Sequence, residues 1–122
     1  MTIQEFLESR RKAEYPAFVN VLKAMPTDRF DYRPHERSPS AAEIVWTLAR
    51  ETQACCALID EGRINWTTVA APADPDAIIS EFHKQYEALS ERIRRLSDSG
   101  WQNKAQLLID GTLHREAPVG DL

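Results

Sequence analysis

Between Ile79 and Leu96 the apolar residues Ile79, Phe82, Tyr86, Leu89, Ile93 and Leu96 follow one another at alternating intervals of three and four. A helix of 3.6 residues per turn lines these up along one side, whereas a strand with its period of two scatters them. Asp74 and Pro75 stand in front as cap and first helical residue, and Ser97 to Gly100 closes the run. The spacing predicts a helix over about 75–97, with the heptad seam of an antiparallel bundle.

Two more helices are predicted ahead of it. Thr2 and Glu5 make a capping box, followed by Ile3, Phe6, Leu7, Phe18, Val21, Leu22 and Met25 at helical spacing until Pro26. This gives a helix over about 2–25, kinked or split at Pro16. A loop from Pro26 to Pro39 is anchored by Phe30 and Tyr32. Ser40 and Glu43 form a second capping box, opening a helix over about 40–61 that turns Ile44, Val45, Leu48, Cys55, Leu58 and Ile59 inward and stops at Gly62. Arg63 to Ala73 reads as loop. The tail, 98–122, reads as irregular, with an irregular hairpin about Asp110-Gly111.

At 122 residues the chain is expected to be one domain over 1–122, since a chain of this size removes roughly two-thirds of its extended surface from water. The net charge of −4 leaves no basic surplus for a nucleic-acid partner. No apolar run approaches the ~20 residues of a membrane helix, and the first residues lack a secretory pattern. The two cysteines, Cys55 and Cys56, are neighbours and poorly placed to bridge each other. A reduced, cytoplasmic setting is expected.

The fold class expected is therefore all-α, an up-down bundle with three long helices. Such helices ordinarily take a fourth to close the core. Either three suffice, or the fourth comes from another chain, or it lies downstream. An uncovered apolar groove exceeds what monomers tolerate, so a homodimer through that face is the expected partner.

The string Phe30-Asp31-Tyr32-Arg33-Pro34-His35-Glu36-Arg37-Ser38, with the following Ser40-Ala41-Ala42-Glu43-Ile44-Val45-Trp46-Thr47-Leu48-Ala49, resembles the DinB/YfiT-like superfamily. Members show a loop of the type RP-x-x-x-S and a second helix of the type S-x-x-E-L-x-x-H-L. Leu58 to Trp66 is similar to the family's exit from that helix, and the likeness runs from Thr2 to Leu122. The resemblance implies a four-helix bundle, frequent homodimers, thiol-dependent transferase or isomerase chemistry, and a divalent metal on three histidines. One of those histidines belongs to the second helix and two to an H-x-x-x-H pattern on the last. Here Thr47 occupies the second-helix ligand position, and the last-helix pattern has no counterpart before Leu122. A hydroxyl is a poor substitute for imidazole. No metal ligand is therefore assigned, and a zinc or nickel ion is expected only if the site is rebuilt elsewhere.

The remaining candidates are few. His35, His83 and His114 lie far apart without metal-ligand spacing and read as solvated or edge histidines. Cys55 reads as a small inward hydrophobe. In the first helix Glu14 falls in the mean direction of the apolar set with Arg10 and Arg11 flanking it, while Glu51 and Thr52 interrupt the stripe of the second. Arg10 and Glu14 read first as a structural ion pair. The sharper reading has Arg10, Glu14, Glu51 and Thr52 line a polar pocket between helices, roofed by Trp46 and Trp66. Two functions compete: a self-associating, metal-site-degenerate module without catalysis, and a divalent-metal-dependent thiol (S-)transferase or hydrolase-like enzyme. Catalytic residues are unknown.

Overall fold

The computed structural model describes the whole chain, Met1–Leu122. Three long helices, α1 (Ile3–Ala24), α2 (Ala41–Glu61) and α3 (Pro75–Arg95), are joined by a short helix α4 (Asp98–Gln102) and three strands. The strands are β1 (Arg63–Trp66), β2 (Lys104–Ile109) and β3 (Thr112–Pro118). The helix starts follow their caps. Thr2 and Ser40 each accept from the amide three residues on, and Glu5 and Glu43 reach back to complete both boxes. Asp74 accepts from the Asp76 amide, ahead of Pro75. Gly62 ends α2 in the left-handed region at φ 74°, where a side chain would be strained. Pro16 does not split α1, which runs on through it.

The direction of the helices departs from an up-down bundle. Val45 and Ala49 of α2 share a core with Ile78 and Phe82 of α3, and further along Cys56 packs with Leu89 and Ile93. Early residues of α2 meet early residues of α3, so these consecutive helices run parallel, which requires a long crossover between them. α1 runs against both: Leu22, near its end, joins Ile78 and Phe82, whereas Gln4, at its start, reaches Ile93 and Arg94. The seam of α3 is also broader than its heptad predicts. Ile78, Phe82, Gln85, Leu89 and Ile93 are buried, while Ile79, Tyr86 and Leu96 are half-buried. The reason is that α3 has two neighbours: one side meets α2 and the other meets α1.

The chain is not purely helical, and the segments expected as loop and irregular tail carry the correction. β1 pairs in parallel with β2, from Arg63↔Gln106 to Trp66↔Ile109. β2 turns at Asp110 (φ 49°) and Gly111 (φ 81°) into antiparallel β3, with a bulge at Leu107/Leu108. The β1–β2 pairing spans the whole of α3 in sequence, so local periodicity carries no trace of it. Ala105 and Val119 pack on Leu58, with Ile64, Leu96 and Trp101 around them. The C-terminal segment thus shelters the far ends of α2 and α3. No helix is long and apolar enough to cross a membrane.

Candidate functional site

Two features of α1 create the groove that the sheet leaves uncovered. Leu22 is its only buried residue, and polar contacts add to the packing that attaches it to α3. The Gln4 side-chain amide donates to the Ile93 and Arg94 carbonyls at 2.7 and 2.6 Å. Arg11 donates to the Tyr86 carbonyl (3.1 Å) and Ser90 hydroxyl (3.2 Å), with its guanidinium 4.3 Å from the Tyr86 ring centroid. The Tyr86 hydroxyl returns a bond to the Arg11 carbonyl at 2.8 Å. One turn on, Tyr15 stacks on Tyr86 at 3.9 Å and its hydroxyl shares a hydrogen bond with His83 Nδ1. Burial, and then the charge of Glu87, pushes the Tyr15 phenol up, so it stays neutral.

Away from α3, α1 leaves Ile3, Phe6, Phe18 and Val21 exposed. Between the second half of α1 and the first half of α2 runs a groove of about 430 Å³ whose nine lining residues are all apolar. Phe18, Val21, Ile44 and Leu48 form its walls, over Leu22 and Val45. Phe18 is 43% exposed, Val21 61% and Ile44 50%. Hydrocarbon at that exposure is a surface that gains from being covered, by roughly 25 cal/mol per Å² removed from water.

The residues singled out for a polar pocket are placed as follows. Arg10 and Glu14 are exposed and pair with each other at 2.7 Å. Glu51 is exposed on α2, and the half-buried Thr52 donates its hydroxyl to the Leu48 carbonyl at 2.7 Å. No hydrogen bond or ion pair links the α1 pair to the α2 pair. The tryptophans lie elsewhere: Trp46 donates to the Val69 carbonyl at 3.0 Å, and Trp66 sits in β1 with Arg50 over its ring. Cys56, not Cys55, is the fully buried thiol; Cys55 is half-buried. Burial raises both above the usual thiol range, against the opposing pull of Arg11 at Cys55 and Arg92 at Cys56, so neither is activated as a thiolate. Phe30 anchors its loop, buried, but Tyr32 is exposed. The Arg11–Tyr86 and Tyr15–His83 contacts escaped the sequence reading. The only signals for them in the sequence are the aromatic Tyr86 within the α3 seam and His83 beside it.

A family model described as the DinB superfamily matches residues 12–117. The chain belongs to the DinB superfamily. No curated protein and no solved structure matches it. In this DinB-superfamily chain the candidate donors for a metal on three histidines are dispersed. Thr47 is exposed, and its hydroxyl donates to the Glu43 carbonyl at 2.8 Å, turned back on its own helix. His83 is engaged with Tyr15, His35 Nδ1 accepts from the Arg37 amide, and His114 is exposed on β3. No three His, Cys, Asp or Glu side chains gather closely enough to hold a metal ion. The donor set of this DinB chain does not fit the ion that the resemblance implies.

Proposed function

We propose that this DinB-superfamily protein is a self-associating helical module whose α1–α2 groove takes a second copy of the chain, in a cytoplasmic setting where Cys55 and Cys56 stay reduced. One observation carries the reading: the groove is apolar along its whole lining, and its rims at Phe18, Val21 and Ile44 face solvent. Thr47 supports reading the module as metal-site-degenerate and without catalysis, because a hydroxyl committed to the Glu43 carbonyl offers a metal little. A two-fold assembly is the economical way to cover such a face, since one patch then serves both subunits.

Light scattering on size-exclusion fractions tests this. The wild type is expected at twice the chain mass. Val21→Asp with Ile44→Asp is expected at the single mass with unchanged far-UV circular dichroism, because both residues are exposed. A wild type that stays monomeric at high concentration and unfolds cooperatively removes the proposal. One equivalent of zinc or nickel that raises the melting temperature by more than about 5 °C replaces it with the metal-dependent reading.

A further inference from the structure

The exposed residues of α1 have an order that the groove alone does not require. Along its free side stand Ile3, Phe6, Arg10, Glu14, Phe18 and Val21, spaced 3, 4, 4, 4 and 3. The pattern reads the same in both directions about Lys12. Ile3 mirrors Val21, Phe6 mirrors Phe18, and Arg10 mirrors Glu14. At about 100° per residue all six fall within roughly 60° of one direction, and the 18 residues from Ile3 to Val21 make about five whole turns, so the stripe runs straight. Each of the four apolar members is exposed, Ile3 at 67% and Phe6 at 56% being the exposed large hydrophobics of the helix's first half. The Arg10–Glu14 pair between them is exposed as well.

We infer that the occupant of the α1–α2 groove is the first half of α1 from a second copy, laid antiparallel about a two-fold axis near Lys12. This rests on the self-association proposed above and specifies which segment is exchanged. Antiparallel pairing places Ile3 of one copy over Val21 of the other and Phe6 over Phe18, so apolar meets apolar at both ends. Val21 and Phe18 are walls of the groove. The incoming Ile3 and Phe6 therefore enter the groove beside Ile44 and Leu48. In the middle Arg10 comes opposite Glu14 of the other copy, twice by symmetry, and the in-chain pair becomes a four-charge network. A parallel arrangement instead sets Arg10 on Arg10 and Glu14 on Glu14, like on like, and brings Ile3 and Phe6 to an end of the molecule with no groove. Charge and shape select the same register.

Cross-linking and a charge exchange test the register separately from self-association. Phe6→Cys and Phe18→Cys are made singly and together, with a short bis-maleimide and the wild type as the background for Cys55 and Cys56. Within one helix positions 6 and 18 are about 18 Å apart, beyond such a linker. The double variant is expected to cross-link into dimers at least about tenfold faster than either single variant. In parallel, Arg10→Glu is expected to weaken the dimer about tenfold through two like-charge contacts, and Arg10→Glu with Glu14→Arg to regain most of that loss. A dimeric wild type whose single variants cross-link as fast as the double overturns the antiparallel register and leaves self-association standing. So does a charge exchange no tighter than Arg10→Glu alone. A wild type that never dimerises removes both.

Discussion

Helices α2 and α3 meet through hydrocarbon, with Val45, Ala49 and Cys56 on one side and Ile78, Phe82, Leu89 and Ile93 on the other, all buried. α1 meets the same core with one buried residue, Leu22, with the half-buried Leu7, Tyr15 and Met25 packed at its edge, and with polar contacts from Gln4 and Arg11. The lengths are alike, 22 residues against 21 and 21, so size does not explain the contrast. What differs is which side each helix gives away. α2 and α3 bury their apolar sides on each other, whereas α1 buries little hydrocarbon, adds polar contacts to α3, and leaves Ile3, Phe6, Phe18 and Val21 exposed. Polar attachments are directional and individually worth about 1 kcal/mol, so they set the position of a helix without burying it. A helix pinned in this manner is a presenting element.

The contrast breaks first at the core. Phe82→Ala is expected to cost about 3–5 kcal/mol in urea unfolding, as for a well-packed aromatic, against under about 1 kcal/mol for Val21→Ala measured in dilute monomer. Equal costs would mean that α1 is packed as tightly as its neighbours. Next come the pins. Arg11→Gln loses the ring contact and the charged donor, and is expected to cost about 1–2 kcal/mol, with faster hydrogen exchange along α1 and little change in α2 or α3. Uniform loss of protection across all three helices would show that α1 is part of one cooperative core.

The smallest effect concerns the start of α2, where the Arg33 guanidinium bonds the Glu43 carboxylate and holds it below its ordinary range, helped by the Ser40 amide. The charged form is favoured in the folded state, so the contribution is present above about pH 4.5 and is lost as pH falls through the depressed folded value. The stability gap between wild type and Glu43→Gln should narrow as pH is lowered through that window. A gap that widens on acidification would refute the assignment.

Local chemistry wrote the helices into the chain. Capping boxes at Thr2 and Ser40, the Asp74-Pro75 start and the left-handed Gly62 each act within a few residues, so their consequences are legible without a fold, and the α3 seam announces its helix by period alone. The apolar stripe of α1 interrupted by Arg10 and Glu14 was legible too, though not that its two ends would remain exposed. Tertiary structure decided the rest. That α2 and α3 run parallel, that Arg63–Trp66 is a strand, and that Ile78 rather than Ile79 is fully buried all depend on partners brought together across long stretches of chain. Periodicity fixes which residues share a side of a helix. Only packing assigns that side to a neighbour, because the same hydrocarbon lowers the free energy against any apolar surface that reaches it.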